Sequence, residues 1–249
     1  MKRIDTPKES RQKPAPSQSI AEVYNEIAES FNEKRSKPWC EVVEFIKTLP
    51  STEQPILDLG CGNGRHVIAL LEHGFTVVAM DASFKILEIA KARISEKNAG
   101  ERAWFVNADG TKLPFRKKTF AAIIMIAVIH HLETTEKRKK VLKELAEKLD
   151  EEGVAFISCW LRTHPRFKKE DLRGEILAGK KDIYVPWTLS NGKKIMRYYY
   201  LFEPEELEQL CKETGLEILV REKAHHNLFL TLRKQKGTKK RRQEKVKAF

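Results

Sequence analysis

A glycine-rich segment is the first part of the sequence whose residue types and spacing could do chemistry. Residues 58–64 read DLGCGNG, follow a short apolar run and precede a helical pattern. Glycines between a strand and a helix let the backbone pass close to a ligand, because no side chain intervenes. A dinucleotide-binding loop would read G-x-G-x-x-G, whereas this loop reads G-x-G-x-G and has Asp58 two positions before its first glycine. A carboxylate there would repel a pyrophosphate and suit a ligand with a positive ammonium group.

Two more acidic residues follow at the ends of the next predicted strands. Asp81 ends the second strand, where a carboxylate can accept hydrogen bonds from both hydroxyls of a ribose. Asp109 ends the third strand and is placed to bind the exocyclic amine of adenine, with Gly110 leaving room for the ring edge. Asp81, Asp109 and Asp58 thus match the ribose, the base and the amino acid of S-adenosylmethionine, in that order. The sulfonium of this ligand adds a second positive charge. An NAD-binding fold or an inactive nucleotide-binding fold is the alternative.

The elements that must position these residues alternate between strand and helix patterns. Apolar runs typical of buried strands are separated by helical patterns over residues 55–160, and this alternation predicts a doubly wound, mostly parallel sheet. A helical pattern that begins at Ser19, a residue suited to the N-cap, precedes the sheet and predicts a helical lid. Residues 161–202 form a predicted β-rich insertion, with a tight turn at Asn191 and Gly192.

The last folded part and the two ends of the chain differ sharply in charge. Residues 216–220 and 228–232 predict an antiparallel strand pair at the sheet edge, so we predict one α/β domain over residues 19–232. The net charge of +12 is concentrated in residues 1–18 and 233–249, which we expect to be disordered. These basic segments either bind RNA phosphates through counterion release or are solvated tails that aid solubility.

Composition excludes several classes of protein. A hydrophobic content of 41% and a charged content of 33% are typical of a globular protein. No apolar run approaches the roughly 18 residues of a membrane span, so we expect no membrane association. The four cysteines are far apart in the sequence, which argues against a zinc site and a disulfide framework. We therefore expect a reducing, cytoplasmic environment.

The glycine loop and its acidic partners resemble the class I S-adenosylmethionine-dependent methyltransferases over residues 55–160. The segments around them indicate a smaller family within this class. They read YNEIA at 24–28, RSKPW at 35–39, IAVIHHL at 126–132, CW at 159–160, VPW at 185–187 and RYYY at 197–200. Together they resemble the tRNA methyltransferases that esterify 5-carboxymethyluridine at the wobble position, including the methyltransferase domain of the AlkB-type tRNA enzyme. Tyr200 is a departure, since the family commonly has His there.

This resemblance implies a fold, a cofactor and partners. The fold is α/β, a Rossmann-like class I methyltransferase with a mostly parallel seven-stranded sheet and an antiparallel edge strand. The implied cofactor is S-adenosylmethionine, and the implied partners are tRNA and a small zinc-binding activator subunit. The residues implied to bind the cofactor are Tyr24, Asp58, Gly60, Gly62, Asn63, Gly64, Asp81, Ala82, Asp109, Gly110 and Ile126.

Three cations are candidates for holding the substrate. A carboxylate nucleophile is already ionised at neutral pH, so alignment and desolvation rather than a strong base should carry the reaction. Arg35 and Arg197 offer bidentate geometry toward a carboxylate, and Lys37 offers a point charge. The resemblance places all three near the substrate; the alternative is that each is an ordinary surface charge.

The two adjacent histidines and three tryptophans complete the candidate site. His130 and His131 follow the fourth strand and point in opposite directions; the resemblance favours His131 as the group that faces the substrate, and we expect His130 to be a buried histidine with satisfied hydrogen bonds. The tryptophans that could stack on bases, with core packing as the alternative, are Trp39, Trp160 and Trp187.

Three functions are consistent with these features. The first is esterification of the carboxymethyl group of a wobble uridine in tRNA. The second is methylation of a small molecule such as a quinone, because the glycine loop and paired histidines also occur in such enzymes. The third is tRNA binding by a protein that retains S-adenosylmethionine without turnover. The basic ends and the cations suited to a carboxylate favour the first.

Overall fold

The computed structural model describes residues 18–97, 100–168 and 178–235. The predicted disorder of residues 1–18 and 233–249 therefore falls almost wholly outside the described part of the chain. Within the described ranges, none of the helices has both the length and the apolar composition needed to cross a membrane.

Helices and strands alternate through most of the described chain. The helices are α1 (Ile20–Lys34), α2 (Cys40–Thr48), α3 (Arg65–Glu72), α4 (Phe84–Ser95), α5 (Thr135–Lys148) and α6 (Pro204–Glu213). The strands are β1 (Ile56–Leu59), β2 (Val77–Asp81), β3 (Ala103–Asn107), β4 (Phe120–Ile126), β5 (Leu149–Trp160), β6 (Asp182–Thr188), β7 (Lys194–Tyr200), β8 (Leu216–Ala224) and β9 (Asn227–Lys234).

Seven of these strands form one sheet in the order β3-β2-β1-β4-β5-β9-β8. The first five are parallel to their neighbours, whereas β9 is antiparallel to both β5 and β8. The predicted sheet and the predicted antiparallel pair at its edge are confirmed. β2 and β4 flank β1 on opposite sides, so the strand order reverses at the end of β1. Doubly wound folds bind their ligands at such a switch point.

The remaining two strands form the hairpin of the predicted insertion. β6 and β7 pair antiparallel and turn at Asn191 and Gly192, as the sequence predicts. α1 packs against this hairpin: the indole N–H of Trp187 donates to Ser30 Oγ at 3.1 Å. α1 begins at Ser19 in a capping box with Glu22, which satisfies two backbone donors at the helix start. The lid and the insertion therefore lie together above the sheet.

Two apolar clusters cover the two faces of the sheet. α2, α3 and α4 pack on one face, and α5 and α6 pack on the other. A stack of three rings ties α2 to the sheet: Phe45 lies parallel to Phe156 at 4.5 Å between centroids, and Phe156 lies against Phe229 at 5.6 Å. This stack joins a helix that precedes the glycine loop to the two strands β5 and β9.

Removing the central ring of this stack should destabilise the whole domain. Phe156 is buried between its two neighbours, so Phe156→Ala creates a cavity and should lower the free energy of unfolding by about 3–4 kcal/mol. Chemical denaturation would measure the change. Phe84→Ala is the control, because that ring is 56% exposed and its loss should cost less than about 0.5 kcal/mol. Equal effects of the two substitutions would contradict this account of the core.

Candidate active site

The glycine loop after β1 adopts a conformation that few other residues could take. Gly60, Gly62 and Gly64 have φ values of +75°, +54° and +76°, in the left-handed region. A Cβ on Gly60 would lie 2.3 Å from Cγ2 of Val128, which is far inside van der Waals contact. The amide of Gly60 also donates to the carbonyl of Met80 at 2.7 Å. The loop is therefore held between the ends of β2 and β4.

Asp81 links the glycine loop to the start of α4. One carboxylate oxygen accepts the N–H of Gly62 and the other accepts the N–H of Ser83, both at 2.9 Å. Burial raises the pKa of Asp81, although these backbone donors act in the opposite direction. A carboxylate has about four acceptor positions, so Asp81 retains acceptor capacity for the hydroxyls of a ligand.

Asp58, unlike Asp81, has no hydrogen-bond partner in the described part of the chain. Its side chain is buried, and neither carboxylate oxygen has a hydrogen-bond partner among the described residues. Burial, with a smaller contribution from nearby Asp81, raises the pKa of Asp58 to about 8, and the charge of Arg65 opposes the shift. Buried polar atoms are almost always hydrogen-bonded, so this carboxyl group indicates a ligand position.

One cavity joins this loop to the lid and the hairpin. Most of the predicted site residues line it: Tyr24, Arg35, Trp39, Gly60, Gly62, Asn63, Asp81, Ala82, Asp109, Gly110, Ile126, His131, Trp160 and Arg197. Asp109 is exposed at its edge and accepts the N–H of Thr111 at 2.8 Å. The structure therefore brings the predicted cofactor residues and the predicted substrate residues to the same space.

Four predicted residues lie outside the lining of this cavity. Asp58 is buried behind the loop, and Lys37 is exposed on the segment between α1 and α2. A Cβ on Gly64 would meet Ala90 at 3.1 Å, so this glycine permits close packing of α3 on α4. Trp187 is buried behind Arg197 instead of facing the cavity, and it packs on the lid.

Arg197 is a buried cation that aromatic rings surround. It is 6% exposed, and its guanidinium carbon lies 4.7 Å from the centroid of Trp187 and 5.2 Å from that of Tyr199. Arg35 approaches the same Trp187 ring at 5.7 Å. In the described ranges no carboxylate lies within ion-pair distance of Arg197. A buried charge without a counterion is costly, although aromatic faces offset part of the cost, so the site is built to receive an anion.

His131 connects the lid to the hairpin in a defined tautomer. Its Nδ1 lies 2.8 Å from the carbonyl oxygen of Tyr198, which can only accept, so Nδ1 carries the proton. Burial lowers the pKa of His131 to about 3, so the ring is neutral and its Nε2 accepts from the hydroxyl of Tyr24 at 3.0 Å. Both nitrogens of His131 are thus engaged within the protein.

His130 differs from His131 in that its Nδ1 accepts a hydrogen bond instead of donating one. The amide of Trp160 donates to its Nδ1 at 3.3 Å, and its ring stacks on Tyr199 with centroids 4.9 Å apart. Its Nε2 is buried and has no hydrogen-bond partner among the described residues, although His130 lines the cavity. The expectation that His130 has satisfied hydrogen bonds holds for one of its two nitrogens.

The segment that carries Arg35 is fixed to the glycine loop by amide groups. The side-chain amide of Asn63 donates to Asn32 Oδ1 at 2.9 Å and to the carbonyl of Arg35 at 2.8 Å. Arg93 on α4 donates to Asn32 and to the carbonyl of Ser36. Asn63 therefore positions the end of the lid, a contact that motif spacing does not reveal.

Sequence reasoning missed several residues that line the cavity, among them Tyr199, Arg65 and Val128. Tyr199 lines it between His130 and Arg197, Arg65 lines it beside Trp39, and Val128 lines it opposite Gly60. Tyr199 lies within the RYYY segment, and that position next to Arg197 was the available signal. Nothing in the local sequence marks Arg65 or Val128, because their roles depend on which elements meet across the sheet.

Comparisons with known proteins agree with this architecture. A family model described as a methyltransferase domain matches residues 56–153. The fold is similar to a methyltransferase structure from Streptomyces caelestis, with a TM-score of 0.72, 15% identity, and coverage of 88% of this chain and 100% of that chain. At this identity the likeness concerns the fold alone.

Two relatives carry the same name. The chain is 34% identical over 174 residues to the tRNA (carboxymethyluridine(34)-5-O)-methyltransferase of Saccharomyces cerevisiae, covering 70% of this chain and 58% of that protein. It is 30% identical over 219 residues to the protein of that name from Schizosaccharomyces pombe, covering 80% of this chain and 89% of the relative. A similarity that extends over nearly the whole fission yeast protein shows that the chain belongs to the family of tRNA (carboxymethyluridine(34)-5-O)-methyltransferases.

Proposed function

We propose that this protein transfers the methyl group of S-adenosylmethionine to the carboxylate of 5-carboxymethyluridine at position 34 of tRNA. The observation that carries the proposal is Arg197, a buried guanidinium in the cavity that has aromatic neighbours and no carboxylate partner among the described residues. Such a group favours an anionic substrate over a neutral quinone-like one. The printed names of the relatives support the same reaction.

The carboxylates at the other end of the cavity fit S-adenosylmethionine. Both carboxylate oxygens of Asp58, behind the loop, are without a partner among the described residues. Asp81 retains acceptor positions for ribose hydroxyls, and Asp109 lies at the edge of the cavity, where the base would bind. The left-handed glycines leave the loop free of side chains where the ligand approaches. When bound, S-adenosylmethionine supplies a methyl group on a positively charged sulfur.

The chain's own residues would then align the acceptor. Arg197 and Arg35 bind the carboxylate of the substrate and hold one of its oxygens toward the methyl group. Tyr24 donates to His131, which fixes its hydroxyl beside Arg197 and closes the lid side of the cavity. Burial removes water from the carboxylate, which strengthens its attack. No proton needs to leave the acceptor, in keeping with the neutral state of His131.

The rim of the cavity is suited to RNA. Trp160 and Trp39 line the cavity and are half-buried, and we propose that they contact the bases around the wobble position. We propose that the basic terminal segments bind phosphates of the same tRNA. The four cysteines are free thiols, which suits the cytoplasmic location that we propose.

We also propose that a small zinc-binding activator subunit covers the β3 edge of the sheet. β3 is the first strand of the order and has a neighbour on one side within the described chain. Trp104 on β3 pairs with Val78, a member of the apolar cluster on that face, yet it is 52% exposed. A large exposed ring beside an unpaired strand edge is typical of an interface with another protein.

The proposed reaction predicts a product that alkali destroys. Purified protein, labelled S-adenosylmethionine and tRNA containing 5-carboxymethyluridine should give labelled tRNA, and mild alkali should release the label because a methyl ester is hydrolysed. Arg197→Ala should lower kcat/KM at least 100-fold, since the substrate carboxylate loses a charged partner. Arg197→Lys should recover part of this loss because it keeps the charge and loses the bidentate geometry. Label that survives alkali would refute ester formation.

The buried carboxyl group predicts an unusual dependence of stability on pH. The pKa of Asp58 is about 8 in the folded protein against an ordinary value of 3.8, so between these values the folded state holds a proton that the unfolded state has lost. Stability therefore falls as pH rises through this window. We expect Asp58→Asn to be more stable than the natural protein by about 1–3 kcal/mol at pH 8, with no difference near pH 4.

The same substitution should weaken cofactor binding. Asp58→Asn removes the charge that would face the ammonium group, so we expect the Kd for S-adenosylmethionine to rise at least tenfold at pH 8. Thermal unfolding at several pH values and calorimetric titration would measure the two effects. Asp109→Asn is the control for stability, because Asp109 is exposed and its loss should change stability by less than about 0.5 kcal/mol. A less stable Asp58→Asn protein at pH 8 would contradict the prediction.

The proposed interface predicts an asymmetry between the two edges of the sheet. Trp104→Glu on β3 should abolish co-purification with the activator subunit and lower the stimulated activity at least tenfold, because a charge cannot be buried in an apolar contact. Val220→Glu on β8 is the control, since that side chain is 54% exposed at the opposite edge. Loss of co-purification in the control alone would place the interface at β8.

A further inference from the structure

The hydrogen bonds of His130 determine which of its nitrogens carries a proton. The backbone N–H of Trp160 can only donate, so His130 Nδ1, at 3.3 Å from it, presents a lone pair. A neutral imidazole carries one proton, and that proton must then be on Nε2. Burial, the neighbouring His131 ring and the charge of Arg197 lower the pKa of His130 well below its ordinary value, which is consistent with the neutral ring.

Aromatic rings pack around His130, and this N–H has no hydrogen-bond partner in the part of the chain that the structure describes. The ring stacks on Tyr199 with an interplanar angle of 12° and contacts His131 edge-on at 4.5 Å between centroids. The side chain is 1% exposed, and Nε2 has no hydrogen-bond partner among the described residues. A buried donor that makes no hydrogen bond destabilises the folded protein. Because His130 also lines the cavity, this donor is placed for a ligand.

We propose that His130 binds the substrate carboxylate by donating a hydrogen bond from Nε2–H to the oxygen that does not attack the methyl group. This inference rests on the proposed function. His130 and Arg197 line the same cavity, each packs on the ring of Tyr199, and they lie close enough for the charge of Arg197 to act on His130. His131 cannot take this role while both of its nitrogens are engaged by Tyr24 and Tyr198.

A neutral donor and a cation affect the carboxylate oxygens differently. A further charged partner beside Arg197 and Arg35 would draw electron density from both oxygens and reduce the nucleophilicity of the one that attacks. A neutral N–H holds one oxygen in place and leaves the electron density of the other largely intact. The pair would also discriminate a carboxymethyl group from a hydrogen at the same position of uridine, because only the former satisfies the buried N–H.

Binding to matched RNAs tests this proposal in the full-length protein. The probes are two anticodon stem-loops that differ only at the wobble uridine, one with 5-carboxymethyluridine and one with uridine, in the presence of S-adenosylhomocysteine. His130→Asn keeps an acceptor near the amide of Trp160 but is too short to reach the position of Nε2. His130→Gln places an amide N–H near the position of Nε2 and serves as the matched rescue variant. The affinity for S-adenosylhomocysteine reports whether each variant folds.

We expect the natural protein to bind the carboxymethyl RNA at least tenfold more tightly than the uridine RNA. His130→Asn should reduce this preference to less than threefold, while His130→Gln should keep most of it and affinity for the uridine RNA should not change. A preference retained in His130→Asn, or lost equally in both variants, overturns the role of Nε2–H. Absence of any preference in the natural protein would instead refute the proposed substrate.

Discussion

The contact between Gly60 and Val128 is the constraint on which the rest of the site depends. It brings the loop after β1 against the segment after β4, with no room for a Cβ on the glycine. Ala127, which precedes Val128, has a φ of +59° and donates its N–H to Ser158 Oγ, so the chain turns sharply at the end of β4. The short helical turn that follows carries His130 and His131. This contact thus fixes the glycine loop, near the acidic side chains, against the segment that carries the two histidines.

The site holds acidic and basic side chains. Asp81 lines the cavity at the glycine loop with Asp58 behind it, whereas Arg197 comes from the hairpin, and Arg35 and Arg65 line the cavity near the loop. Such a set suits a reaction in which a cationic methyl donor meets an anionic acceptor, because side chains of opposite charge can stabilise each of them. The aromatic rings around Arg197 exclude water without neutralising it, so its charge remains available to a ligand.

The lid and the insertion do more than cover the sheet. A chain of hydrogen bonds runs from Tyr24 on α1 through His131 to the carbonyl of Tyr198 on β7. The amide of Asn63 fixes the end of the lid to the glycine loop. Arg197 comes from the hairpin and Arg35 directly follows the lid helix, whereas Asp58 and Asp81 belong to strands of the sheet. The lid, the insertion and the sheet therefore all contribute side chains to one site.

The sequence by itself determined the sheet, the lid, the hairpin and half of the residues that line the cavity. It could do so because apolar periodicity, glycine spacing and residues at strand ends are local properties that a parallel fold converts into proximity. The tertiary structure decided which partner each polar atom has. His130 and His131 are adjacent in the chain, yet the Nε2–H of His130 has no partner among the described residues, whereas both ring nitrogens of His131 are hydrogen-bonded. That difference depends on Trp160, Tyr24 and Tyr198, which are distant in sequence and meet these rings only when the sheet, lid and hairpin pack together.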